Sequence, residues 1–204
     1  MRVDNYNKQM EKILSNISKS GEKPKLLLHS CCAPCSSSVI ERLKDYFDLT
    51  VYFYNPNMDS KKEYDLRAEE QKRLCEEFKV KCVIDAYIPQ EFLSAAAGLE
   101  DAVEGGARCG KCFFLRLKRT AERAKEGGFD YFTTTLTVSP LKNADRLNAI
   151  GKALSEQVGV DFLVSDFKKK NGYMRSIELS KQFGLYRQNY CGCIFSKNSL
   201  PNLD

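Results

Sequence analysis

No stretch of the chain approaches the ~20 consecutive apolar residues that cross a bilayer, so no membrane partner is expected. The opening residues, MRVDNYNKQMEKILSNISKS, lack the apolar core of a signal peptide, and the expected location is cytoplasmic. Internal repeats and low-complexity segments are missing, which leaves one domain over 1–204 as the simplest organisation. No flavin or nicotinamide fingerprint is present, so redox chemistry on this chain would need an external electron donor. Histidine occurs once, at His29. What the chain has instead is nine cysteines. Cytoplasmic thiols stay reduced and disulfide frameworks are rare there, so this number points to metal binding or redox chemistry. Apolar residues make up 43% and charged residues 29%, an ordinary balance for a soluble domain with a real core. The net charge of +5 suits a polyanionic partner without requiring one.

Apolar residues at helical spacing (Met10, Ile13, Leu14, Ile17) predict an N-terminal helix within 1–23, broken at Gly21 and Pro24. Five short apolar runs follow, at 25–29, 49–54, 80–84, 129–134 and 160–164, each of strand length and without strict alternation. Such runs suit strands buried on both faces. Amphipathic patterns lie between them (Val39 to Phe47, Leu74 to Phe78, Phe113 to Ala124, Leu147 to Val158), and strands alternating with helices predict a parallel α/β sheet with flanking helices. Ligands of such sheets bind beyond the carboxyl ends of the strands. From Asp166 the composition turns basic and aromatic, which predicts a cysteine-containing C-terminal extension, 166–204, folding back onto that edge with a short helix near 176–183.

Seven cysteines form three groups: Cys31, Cys32 and Cys35 after the first strand, Cys109 and Cys112 at a helix start, and Cys191 and Cys193 near the C-terminus. Cys75 and Cys82 sit inside apolar patterns and read as core. A zinc ribbon brings two Cys-x-x-Cys pairs within about 15–20 residues, whereas whole βα units separate these groups. Seven thiolates also exceed one metal centre. A [4Fe-4S] cluster takes four, leaving three for a second ion or for redox work. A zinc-binding RNA adaptor and a thiol-disulfide oxidoreductase are the alternative readings.

The residues LLLHSCCAPCSS (26–37), NPN with EYDLR (55–57, 63–67), RCGKCFFLRLKRTA (108–121), TTTLTVSPLKN (133–143) and RSIELSKQFGLYRQNYCGC (175–193) resemble the QueH-type epoxyqueuosine reductases. Ser60 stands where that pattern leads one to expect proline. The resemblance implies an adenine-nucleotide α-hydrolase-like (PP-loop, HUP-like) fold. HSCCAPCSS replaces the glycine-rich phosphate loop of PP-loop enzymes, which argues against ATP use. It further implies reduction of epoxyqueuosine to queuosine at the wobble position of tRNA, with an iron–sulfur cluster, an adjacent metal ion and no cobalamin.

Within that reading, Cys32, Cys109, Cys112 and Cys193 are the expected cluster ligands. Cys31, Cys191 and the carboxylate of Asp166 are expected to hold the second ion, iron by preference. Adjacent side chains point in different directions, which would let Cys31 and Cys32 serve different centres. Cys35, opening a helix whose dipole favours a thiolate, is a redox or ligand candidate, and His29 at the site edge is a proton-donor candidate. Asn55, Asn57, Tyr64 and Arg67, with Glu63 beside them, are expected at the nucleoside. Arg175 and Arg187 are expected at the RNA, within a basic stretch (Lys168, Lys169, Lys170, Lys181) interleaved with Tyr173, Tyr186 and Tyr190.

Overall fold

The computed structural model describes residues 5–198; residues 1–4 of the expected N-terminal helix and 199–204 of the extension lie outside the described residues. All five apolar runs form strands: β1 (Lys25–Ser30), β2 (Asp48–Phe53), β3 (Lys81–Ile84), β4 (Tyr131–Thr134) and β5 (Asp161–Phe162). They pair in parallel in the order β3-β2-β1-β4-β5. β1 is central because its side chains are apolar on both faces. Leu26 and Leu28 enter one buried cluster and Leu27 the other.

The first cluster packs α1 (Tyr6–Ser20), α2 (Ala33–Leu43) and α3 (Lys61–Phe78) onto the sheet through Met10, Leu14, Ile40, Leu43 and Leu74. The second packs α5 (Ala107–Glu126) and α6 (Ala144–Val158) on the opposite face through Phe113, Leu117, Leu147 and Leu154. Asn5 caps α1, Asn143 caps α6 and Ser60 caps α3, each accepting a backbone N–H three residues on. At position 60 serine thus does a capping job that proline could not.

Three elements depart from the pattern read in sequence. β3 is an edge strand with alternating exposure, Lys81 and Val83 outward, because nothing pairs its far side among the described residues. α2 begins at Ala33, well before the apolar period at Val39. Its first turns are the small residues Ala33, Pro34, Ser36 and Ser37, buried beneath the coming site. A short helix, α4 (Pro89–Ala96), was not legible. Its apolar signal is Phe92 and Ala96. In the C-terminal extension, α7 (Gly172–Gln182) packs on α2, and α8 (Ile194–Asn198) follows the last cysteines.

Gly151 lies inside α6, where glycine costs about 0.5–1 kcal/mol against alanine. A Cβ there would stand 2.4 Å from the ring of buried Phe162, which itself packs on Phe132 with ring centres 5.1 Å apart. Gly151→Ala is therefore expected to lower stability, by about 1–3 kcal/mol. Urea unfolding of the reduced protein checks the sign; a gain in stability would contradict this close helix–sheet packing.

Candidate metal and redox site

A cleft of about 710 Å³ opens at the carboxyl ends of β1 and β4, where the strand order reverses. This is the point at which parallel α/β sheets hold their ligands. Ser30 ends β1 and Ala33 begins α2, so Cys31 and Cys32 are the whole connection and Cys35 falls in the first helical turn. The three sulfurs lie within 4.8 Å of one another. Gln71 of α3 ties this loop down: its Oε1 accepts from Ser30 Oγ at 2.6 Å and Ser36 Oγ at 2.9 Å.

The Cys31 and Cys32 sulfurs are 3.7 Å apart, and Cys31 lines the cleft while Cys32, the residue that precedes α2, is buried. Hydrogen bonds from the Cys32 and Cys35 thiols hold Cys31 well below the usual thiol range, helped by Arg116 and Thr135. The same sharing pushes Cys32 up to about 12 and Cys35 upward as well.

α5 carries the second group. Cys109, Cys112 and Arg116 stand at i, i+3 and i+7, one helical face, which aims all three at the cleft side of the sheet. The Gly105 N–H donates to Cys109 Sγ at 3.2 Å. Burial pushes the Cys112 thiol up to about 12; Cys191 and Cys193 add to the effect and Arg116 opposes it. Cys193 is raised by burial and then by the charges of Cys191 and Cys109.

The C-terminal segment brings the third group. Asp59 N–H donates to the Gly192 carbonyl at 2.8 Å, Tyr190 hydroxyl donates to Asp59, and Lys197 pairs with the same carboxylate at 2.6 Å. Gly192 has φ +107° and passes so close to the β2–α3 loop that a Cβ would meet the Met58 sulfur at 2.6 Å. Glycine between Cys191 and Cys193 lets that strap lie flat. Cys112 and Cys193 then pack together with Phe92 and Ala96. Cys191 faces the cleft, where Lys142 Nζ donates to its sulfur at 3.3 Å.

The seven grouped cysteines sort by exposure, with Cys109 half-buried against the second core cluster, and among the described residues only Cys31, Cys32 and Cys35 form a group of three whose sulfurs all lie within 4.8 Å of one another. Cys31, Cys35 and Cys191 line the cleft, whereas Cys32, Cys112 and Cys193 are buried behind it. Four cations also line it (Arg67, Arg116, Lys142, Arg187) against one carboxylate, Glu104. Arg116, Lys142 and Gln71 were not singled out in the sequence. For Arg116 the signal was its spacing of four from Cys112.

Other expected residues are placed as follows. His29 lies beneath the cleft wall, wholly buried, with Nδ1 2.8 Å from Thr134 Oγ1 and Nε2 3.2 Å from the Tyr54 carbonyl. Burial and the Arg116 charge push it down to about 3, so it stays neutral and is no store of an acidic proton at neutral pH. Asp166 pairs with Lys168 at 2.7 Å and lines a separate depression with Asn5 and Tyr6 beyond Lys142; it is not brought to the sulfurs. Asn55 is engaged internally, donating to the Ser30 carbonyl and accepting from Arg116. Asn57 is buried, and its amide has no hydrogen-bond partner among the described residues. Tyr64 turns away to donate to the Asp85 carbonyl in a cluster with Phe53 and Met58. Arg175 pairs with Glu41 and Glu178 outside the cleft. Arg67 pairs with Glu63 and stacks on Tyr190 at 5.3 Å, on the cleft wall, and Arg187, Tyr173 and Gln188 line the mouth. Lys170 pairs with Glu11, away from the cleft.

The fold and the sequence have known relatives. A solved structure of the U34-tRNA thiolase NcsA from Methanococcus maripaludis with its [4Fe-4S] cluster superposes with a TM-score of 0.53, covering 93% of this chain and 69% of that one, at 13% identity. That likeness shows that the two chains share an α/β fold of the same architecture. The epoxyqueuosine reductase QueH of Staphylococcus epidermidis is 44% identical over 200 residues, spanning 94% of this chain and 84% of the relative. The QueH of Thermotoga maritima is 37% identical over 174 residues, 84% of this chain and 89% of its own length. The family model for epoxyqueuosine reductase QueH matches residues 26–199, and the chain belongs to that family.

Proposed function

We propose that this chain reduces epoxyqueuosine to queuosine at wobble position 34 of tRNA, in the cytoplasm, with electrons from an external donor. One observation carries the reading. The Cys31–Cys32–Cys35 triad stands at a cation-lined cleft that Cys191, from the far end of the sequence, also lines, at the switch point of the sheet and in a chain whose relatives are epoxyqueuosine reductases. The reaction consumes two electrons and two protons and releases the epoxide oxygen as water.

The donor set suits an anionic iron–sulfur centre. It offers seven soft sulfurs, with fixed positive charge beside them. Cys32, Cys109, Cys112 and Cys193 would hold a [4Fe-4S] cluster on the buried side. Cys31 and Cys191, facing the cleft, would hold a second iron, with Cys35 in reserve as ligand or redox thiol. When bound, these groups supply single electrons and a Lewis acid for the epoxide oxygen. The protein's part is binding and exclusion. Arg187 and Arg67 offer cations to phosphate, Tyr173 and Tyr190 offer ring faces to an unpaired base, and Gln188 retains an unpaired amide oxygen at the cleft for a nucleoside. Asn55, Tyr64 and Arg175 support the site from their internal bonds.

Zinc would give a colourless protein, and pure thiol chemistry would survive complete metal removal; neither calls for four cations around the sulfurs.

Turnover is tested by incubating anaerobically reconstituted protein and a strong reductant with tRNA bearing epoxyqueuosine, then analysing nucleosides by mass spectrometry. Loss of one oxygen from the modified base is expected, and intact epoxyqueuosine with fully loaded protein would refute the proposal. Cys32→Ala or Cys109→Ala should lose iron and activity together, while Cys75→Ala, in the α3 core, should keep both. A full cluster in both site variants would overturn the ligand set. Arg187→Ala is expected to weaken tRNA affinity by about fivefold and to flatten its salt dependence by roughly one unit of log–log slope. Unchanged salt dependence would remove Arg187 from the RNA contact.

A further inference from the structure

Arg116 is among the largest fully buried side chains, at 1% exposure, and among the described residues no aspartate or glutamate forms an ion pair with it. Its side-chain acceptors are neutral. Nε points at His29 Nε2 at 3.3 Å and Nη2 donates to Asn55 Oδ1 at 2.5 Å. An imidazole is neutral or positive and never negative, so His29 supplies no counterion. A guanidinium cannot shed its proton, and a buried charge without a counterion is strongly disfavoured. The groups nearby that can become anions on binding metal are sulfurs: Cys31 and Cys191 line the same cleft as Arg116, and Cys112 stands four residues before it on α5. Cys31 belongs to the triad, Cys112 to the buried group and Cys191 to the cleft-facing strap. The guanidinium thus shares the cleft with Cys31 and Cys191 and a helical face with Cys112.

We infer that Arg116 is a positioning residue whose fixed charge is the countercharge of the metal centre held on these sulfurs and raises its reduction potential. The inference rests on the reading that a redox-active iron–sulfur centre occupies the site. Each electron added to such a centre adds one negative charge. A permanent cation in a water-poor pocket stabilises that reduced form more than the oxidised one, since Coulomb energy grows as the local dielectric falls. Asn55 and His29 then have a role that substrate binding does not explain. They fix the guanidinium by two hydrogen bonds, one from each side of the β1–β2 edge, so that its charge cannot swing out to solvent through the cleft it lines.

The test is a spectroelectrochemical titration of the reconstituted full chain and its Arg116→Gln and Arg116→Lys variants, with iron content and circular dichroism measured on the same samples. Arg116→Gln with a normal iron load should have a more negative midpoint potential than the parent, and Arg116→Lys should recover most of the difference. An unchanged potential in a fully loaded Arg116→Gln would overturn the inference. Should Arg116→Gln fold but not load, Arg116→Lys decides: loading restored by charge alone supports the countercharge, and equal failure of both overturns it in favour of a purely steric role. Failure of the parent chain itself to take up iron and sulfide would strike down the reading beneath the inference, and the inference with it.

Discussion

The structure is organised around an electrostatic constraint: thiolates gathered in one cleft repel one another unless positive charge is built in beside them, and Cys31, Cys35 and Cys191 share theirs with four cations. Arg116 enters from α5, Lys142 from the loop after β4 and Arg67 from α3, each on a different element, and all reach the same cleft. The sheet's switch point makes this convergence available. There the connections that leave the paired strands β1 and β4 run to opposite faces of the sheet, through α2 and α6, and open a crevice between them.

The same constraint explains features that would otherwise look decorative. Gln71 reaches across from α3 to two serines flanking the first cysteine group, fixing a loop that has only two residues between strand and helix. Gly192 lets the last two cysteines pass against the β2–α3 loop, and Asp59 collects a backbone-supported strap, Tyr190 and Lys197 on that same loop. The C-terminal extension is thus less an appendage than the fourth wall of the cleft. Arg187, Gln188 and Tyr190 come with it, so the segment that completes the sulfur set also carries contacts suited to RNA.

Much of this was legible in the sequence because the signals are local. Short apolar runs such as LLLH and TVYF could only be strands covered on both faces, and their alternation with helical patterns fixed a parallel sheet. The cysteine groups lay at element ends, where a parallel sheet places its chemistry. Other parts left no local signal. α2 starts with small buried residues, Ala33 to Ser37, that have no apolar period. Arg116 sits in RLKRTAERAKE, where a buried cation is indistinguishable from a solvated helix face until the tertiary contacts are known. Asp166 and Arg175 were read as site residues from position alone, and each is drawn instead to a nearby opposite charge, Lys168 in one case and Glu41 and Glu178 in the other. Tyr64 likewise follows the amphipathic phase of α3 into the core.

The central claim is that the grouped cysteines hold an iron–sulfur centre. It is tested most directly by the iron and acid-labile sulfide content of anaerobically purified protein, with visible spectra before and after dithionite. The account predicts about four irons and four sulfides per chain, a fifth iron for the cleft-facing pair, and a brown absorption that bleaches on reduction. Colourless protein containing stoichiometric zinc, still colourless after anaerobic reconstitution with iron and sulfide, would contradict it.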